Sequence, residues 1–346
     1  MNSFSAGSRF LLLSAAFIIV IAGMKAAAPI LIPFLLSVFI AIISAPSLFF
    51  LQRKGLPTTI ALLLVISLVI ILLTLVAILI GNSVEDFRQS LPIYQDRLQD
   101  QLQAVVTFMA RLDISISLEK IQTYFDPSVV MSLAANTLSG LGSVLTNGFL
   151  ILLTVVFMLT EASSFPAKLH QVLDKPDRSL QGFDHFLETV KRYMAIKTAI
   201  SLATGFIVWL ALWLIGVDYP LLWGVTAFFL NYVPNIGSII AAIPAVLLAF
   251  IQLGWGGAIG VIALYTTINV VIGNIIEPRF MGKGLGLSTL VVFLSLIFWG
   301  WVLGPVGMLL SVPLTMTVKI AMANHEETRW IAVLLDSASA AETETA

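Results

Sequence analysis

The sequence predicts an all-α fold: a polytopic helical membrane protein of about eight spans, with broken or re-entrant helices in the C-terminal half. Three observations carry that prediction. The 346 residues are 59% apolar and only 11% charged, where soluble domains carry about 25% charge. The 18 basic and 19 acidic residues are clustered, leaving charge-free runs at 10–24, 26–51, 55–84, 127–160, 198–217, 219–276 and 284–318. Stretches such as 60–80 show no residue-by-residue alternation. A helix crosses the hydrocarbon core with about 20 apolar residues. Backbone groups in lipid must be satisfied internally, by helices or by closed barrels, and barrel strands alternate. The unalternated runs are therefore helices.

Composition also excludes several chemistries. With no cysteine, disulfides, thiolate metal sites and cysteine nucleophiles are ruled out. A net charge of −1 provides no field for attracting nucleic acid. The histidines, His170, His185 and His325, sit in polar segments without metal-ligand spacing, so neither a metal site nor hydrolytic chemistry is expected. The long runs contain no acid and no histidine, which argues against an intramembrane protease. No enzyme activity, catalytic residue or cofactor is expected.

Residues 1–84 read as three N-terminal spans. The first run follows Arg9 and ends at Ala26-Ala27-Ala28. That ending matches a small-residue cleavage pattern, but the spans that follow make an uncleaved first span the better reading. Pro29, Pro33 and Pro46 predict a kinked or broken second span.

Residues 85–140 read as an amphipathic periplasmic helical hairpin. Val84, Phe87, Leu91, Tyr94, Leu98, Leu102, Val105, Met109 and Leu112 recur at steps of three and four, which is one face of a helix. Leu118, Ile121 and Phe125 form a second short piece, and Asp126-Pro127 reads as an N-cap and first helical residue. A seam of this kind is usually a packing surface, for the hairpin itself or for a neighbouring subunit, and a ligand site is the alternative reading.

A span follows at 141–160, then a cytoplasmic amphipathic segment at 161–197. Phe183, Phe186, Leu187, Val190, Tyr193 and Met194 make a stripe that runs into the next span. Cytoplasmic loops carry excess Lys and Arg. With an internal N-terminus, Arg9, Arg53, Lys54, Lys168, Lys175, Arg178, Lys191, Arg192 and Lys197 lie inside, and Lys25, Arg88, Arg97, Arg111 and Lys120 lie outside. The majority inside supports that orientation and puts both termini in the cytoplasm. Residues 198–318 form a C-terminal transmembrane region with helix breaks. Its last run fits either one span or a span plus a re-entrant piece. Residues 319–346 form a cytoplasmic tail whose end, Ala-Glu-Thr-Glu-Thr-Ala, has the composition of a disordered terminus.

The candidate site lies in the longest charge-free run. Asn231, Pro234, Asn235, Gly237 and Ser238 cluster there, and Pro with Gly predicts a helix break. Broken helices expose backbone groups and helix ends to a cavity, where transporters hold polar cargo. The amide and hydroxyl side chains can hydrogen-bond cargo without the desolvation cost of a charge. The alternative is a kink whose asparagines only satisfy freed backbone groups. Asn269 and Asn274, beside Gly273, mark a second break and complete the substrate-pathway candidates. Glu277 and Arg279 flank Pro278 at a span end, where mutual pairing is expected and ion coupling is the functional alternative. The glycine run at 282–286 lacks the Walker pattern, so nucleotide binding is rejected. Gly256 and Gly260, and Gly300 and Gly304, have small-xxx-small spacing, which predicts close helix approach.

These residues resemble the autoinducer-2 exporter family. The resemblance is carried by Asn231-Tyr232-Val233-Pro234-Asn235-Ile236-Gly237-Ser238 with Ala242-Ile243-Pro244, by Glu277-Pro278-Arg279 and the glycine run, by the 288–301 stretch, and by Gly304-Pro305-Val306-Gly307. It covers nearly the whole chain. It implies export of autoinducer-2, a small dihydroxypentanedione-derived signal that binds borate, across a bacterial inner membrane, with effects on biofilm formation. It also implies about eight spans and homo-oligomers, with a pentamer as the candidate stoichiometry. Many members have His-Pro where this chain has Ser288-Thr289. Some relatives are reported as sodium/proton antiporters, so exchange through Glu277, with Asp218 or Glu161, is a second expectation. A membrane scaffold working through the 85–140 hairpin is a third.

Overall fold

The computed structural model describes residues 6–110, 148–161, 176–234, 236–281, 287–323 and 326–336. Every regular element among them is helical. In chain order these are α1 (Ala6–Ala26), α2 (Ala28–Arg53), α3 (Thr58–Ala110), α4 (Gly148–Glu161), α5 (Pro176–Ile215), α6 (Pro220–Leu230), α7 (Ile236–Ile268), a π-helix (Asn269–Ile276), α8 (Glu277–Met281), α9 (Thr289–Leu309), α10 (Ser311–Ala323) and α11 (Arg329–Leu334). Five helical stretches are long and apolar enough to cross a membrane: Ala28–Arg53, Thr58–Phe87, Glu188–Ile215, Ile236–Phe280 and Thr289–Leu309. The other apolar helices, including Gly148–Glu161 and Pro220–Leu230, are shorter. Many large side chains on these helices face outward, among them Leu13, Ile30, Ile71, Trp213 and Ile259, as a lipid-facing surface requires.

The chain divides into two compact units. One comprises 1–58, 147–190 and 286–346. Within it α2 is a continuous helix through Pro33 and Pro46, so of the two expected outcomes, a kink or a break, the break is absent. Each proline forfeits only its own ladder bond, and the rest of the helix keeps its ladder. Ser37, fully buried, donates to Pro33 O at 2.7 Å, with Ile151 O of α4 also within reach at 3.2 Å. Ile21, Trp299, Val302 and Leu303 form a core with Leu31, Ile32 and Leu35 packed on it. At the C-terminal end, Lys319 pairs with Asp336 at 3.0 Å and Ser288 N donates to Leu335 O.

The other unit comprises 59–146 and 191–285. Its α3 has 53 residues, about 80 Å at 1.5 Å per residue, more than twice the hydrocarbon thickness. The third span and the first half of the expected hairpin are thus a single helix. Of the predicted seam, Phe87, Tyr94 and Leu98 are buried in the main core beside Val208, Leu212, Trp223 and Leu248. The expected second piece at 118–125 and the Asp126-Pro127 cap lie outside the described residues. Likewise α5 is one helix over Pro176–Ile215, and on the part of it in this unit Tyr193 and Met194 are buried.

Two tight reversals break the C-terminal helices. Gly254 (φ 70°, ψ −159°) splits α7 into legs 236–253 and 255–268, and Gly304 (φ 65°, ψ −150°) splits α9 after residue 303. Both follow a leucine and precede a second glycine by three positions, as Leu253-Gly254 with Gly257 and Leu303-Gly304 with Gly307. A Cβ on Gly257 would lie 2.4 Å from Leu253 Cβ, and one on Gly307 would lie 2.0 Å from Trp299 O. The first glycine supplies the backbone angle and the second lets the returning leg close on the outgoing one. The small-xxx-small expectation is therefore corrected in part. Gly304 is a turn, Gly300 faces Met308 across that turn, and Gly256 and Gly260 meet nothing within 4 Å.

Candidate functional site

The site is built where α5, α6, α7 and the π-helix converge within the second unit. Glycine allows the first approach. A Cβ on Gly205 would be 2.7 Å from Gly224 O, and one on Gly224 would be 2.8 Å from Gly205 O. Backbone thus meets backbone between α5 and α6. This contact brings the small polar residues of α5, spaced at 198, 201 and 204, against the end of α6. Asn231 Nδ2 donates to Ser201 Oγ at 2.9 Å, and Tyr232 Oη donates to Thr198 Oγ1 at 2.8 Å.

From Asn231 the chain turns sharply into α7. Gly237 is buried, and a Cβ there would sit 1.8 Å from Leu230 O, so this position serves the turn. On the first turn of α7, Ser238 Oγ donates to Asn269 Oδ1 at 3.1 Å. Asn269 opens the π-helix, and Glu277 N returns to Ile272 O, the five-residue spacing of that conformation. Such wide turns displace side chains from their regular positions and recur at functional sites.

These contacts surround a cleft whose enclosed cavity is about 10 Å³, the room of about one water, opening to about 320 Å³ of space counted out to its mouth. Its polar lining is Thr204, Asn231, Ser238, Tyr265 and Asn269, with alanine, isoleucine and Gly273 completing the wall. No charged residue lines it. It offers amide and hydroxyl groups to a polar neutral solute and no counter-charge to an ion.

Among the sequence candidates, Asn231, Ser238 and Asn269 meet at this pocket. Pro234 lies in the turn and outside the lining, and Asn274 is exposed. Asn235 lies outside the described residues. Glu277 does not pair with Arg279 as expected. Its carboxylate accepts from Lys197 Nζ at 2.5 Å, with the two side chains 18% and 4% exposed, and Arg279 is exposed. The proline at 278 starts a helical turn that carries positions 277 and 279 to different faces, so the carboxylate reaches α5 instead. Sequence reasoning missed Thr204, Tyr265 and the role of Lys197. The available signal was the i, i+4, i+7 spacing of Lys197, Ser201 and Thr204 on α5, and the i, i+4 spacing of Tyr265 and Asn269.

The sequence pattern described as AI-2E family transporter matches residues 14–327. The chain belongs to this family. The AI-2 transport protein TqsA of Escherichia coli (strain K12) is 41% identical over 329 residues, covering 95% of this chain and 96% of that protein. A Haemophilus influenzae (strain Rd) relative is 44% identical over 337 residues, 94% and 96% of the two chains. YhhT of Escherichia coli K12 is 40% identical over 329 residues, 95% and 94% of the two chains. The names of the latter two state no cargo. The chain is accordingly a multi-pass membrane protein of a bacterial AI-2E transporter family, with a small-molecule substrate and no enzyme activity.

Proposed function

We propose that this protein exports autoinducer-2, or a similar small uncharged polar molecule, across the bacterial inner membrane. The observation that carries the reading is a pocket whose polar groups, on Thr204, Asn231, Ser238, Tyr265 and Asn269, are all neutral, with no charged residue in the lining. A neutral solute can exchange its water hydrogen bonds for these groups, whereas an ion would find no counter-charge among them. Its 41% identity to a protein named for AI-2 transport supports the same cargo. The termini are assigned to the cytoplasm, the 85–140 region to the periplasm and 161–197 to the cytoplasm. The working assembly is a homo-oligomer, with a pentamer as the stoichiometry to test by mass measurement in detergent. Deletion should raise intracellular autoinducer-2, and Asn231→Ala in a stably folded protein should mimic deletion. Unchanged partitioning of the signal in the deletion strain would sink the reading.

A second reading, sodium/proton exchange, draws on the Lys197–Glu277 pair, which lies one to two turns from the pocket along α5 and along the π-helix. In everted vesicles it requires sodium-dependent collapse of a proton gradient that disappears in Glu277→Gln. Without that collapse the pair is a structural contact beside a neutral-solute pathway.

A further inference from the structure

Among the described residues, three buried side-chain oxygens have no hydrogen-bond partner: Thr204 Oγ1, Tyr265 Oη and Ser311 Oγ. Two of the three line the pocket. Both residues are deeply buried, Thr204 at 5% exposure and Tyr265 at 6%. A buried hydroxyl without a partner is costly, and natural structures leave few of them.

Thr204 is unusual among the helical threonines here. Thr154, Thr160, Thr198 and Thr226 each donate to the carbonyl four residues earlier, at 2.7–2.8 Å. That return is the default outlet for a hydroxyl inside an apolar helix. Thr204 makes no such bond, although it sits in the middle of α5. Tyr265 has none either, one helical turn before Asn269, while Asn231 and Ser238 are already engaged with Ser201 and Asn269. The pocket therefore contains two kinds of polar group. The amides and Ser238 hold the helices together, and the two hydroxyls have their hydrogen-bonding capacity free.

We infer that Thr204 and Tyr265 are the residues that recognise the cargo, and that the cargo is a small, neutral, polyhydroxylated compound whose hydroxyl or carbonyl oxygens pair with these two side chains. Each side-chain hydroxyl both donates and accepts, which suits a solute carrying the same dual groups. A site built to pair with a substrate hydroxyl rejects the analogue lacking it, because its own polar group is then left unmatched. The inference rests on the reading of this pocket as the cargo site and specifies which groups do the selecting.

The test uses the full chain in proteoliposomes, with 4,5-dihydroxy-2,3-pentanedione, its monodeoxy analogues, erythritol and glycerol as probes. In wild type the dihydroxy compound should be carried with a lower KM than the deoxy analogues. Tyr265→Phe and Thr204→Val should each raise its KM by about five- to tenfold and reduce the preference over a deoxy analogue. Because each substitution removes an unpaired buried group, thermal stability without solute should be unchanged or higher, which separates recognition from folding. If wild type carries the dihydroxy compound and both variants keep its KM within about twofold, the inference is overturned while the export reading stands. If wild type does not carry that compound, the autoinducer reading fails. The inference then survives only if erythritol or glycerol is carried and the same variants impair it, and transport of none of these probes overturns it.

Discussion

Lys197 on α5 and Glu277 at the start of α8 meet at 2.5 Å across 80 positions of sequence. Burying a charge is expensive, and removing one partner of a buried pair leaves the other uncompensated. Lys197→Met and Glu277→Gln should each destabilise the protein by about 3 kcal/mol, read as thermal unfolding in detergent. Combining the two substitutions should cost well under the sum of the single losses. A double variant showing the full sum of the two single losses would mean that the residues are not coupled.

The α3 extension is fastened at a different place. Tyr94 Oη donates to Asp218 Oδ2 at 2.7 Å, the Gln252 amide donates to the same oxygen, and Asp218 N donates to Gln252 Oε1 at 3.0 Å. Gln252 stands two residues before the Gly254 reversal, so this cluster ties the long helix to the tip of the α7 hairpin. Tyr94→Phe should cost about 1–2 kcal/mol, at the lower end for a bond to a charged group because Asp218 is exposed. Burial first, and then the hydrogen bond to Asp218, push the Tyr94 hydroxyl pKa well above its ordinary value. A raised pKa leaves the contribution intact below the unfolded value of about 10 and removes it as pH climbs beyond. The stability gap between wild type and Tyr94→Phe should accordingly be flat from pH 7 to 9 and narrow above about pH 10.

The sequence made the helical membrane fold legible because charge-free length is a one-dimensional property. It also located the 231–238 break and three pocket residues, since Asn, Pro and Gly announce themselves inside an apolar run. The partner of Glu277 was not legible. Local spacing favoured Arg279, two residues away, but on a helix i and i+2 diverge and the real partner comes from α5. The orphan hydroxyls were hidden for a related reason. A threonine in a membrane helix normally bonds its own backbone, so Thr204 reads like Thr198 until its geometry is known.

Gly254 and Gly304 occupy a backbone region that is essentially restricted to glycine. Space is not the issue, because an added Cβ meets nothing within 4 Å at Gly304 and only ordinary contacts with Gln101 at Gly254. Alanine at either turn should cost about 1–3 kcal/mol from backbone strain alone. Gly256→Ala and Gly260→Ala, at helical positions facing open space in the protomer, should be neutral or stabilising by up to about 1 kcal/mol. Thermal unfolding of the four variants distinguishes turn glycines from glycines at ordinary open helical positions. Equal losses at all four positions would refute the distinction.

The Gly205–Gly224 approach should control the pocket as well as the fold. A methyl group on Gly205 would press on Gly224 O and on Phe228 Cβ at 2.9 Å, and backbone on that side cannot rotate away as a side chain can. Overpacking of this kind costs about 1–3 kcal/mol. It would also move α6 off α5, stretching the 2.9 Å Asn231–Ser201 contact and separating Thr204 from the far wall. Gly205→Ala should therefore lower thermal stability and raise the transport KM together. Gly81→Ala, within α3 and with nothing within 4 Å, should leave both unchanged. If Gly205→Ala loses stability but transports with the wild-type KM, the α5–α6 spacing does not shape the cargo site.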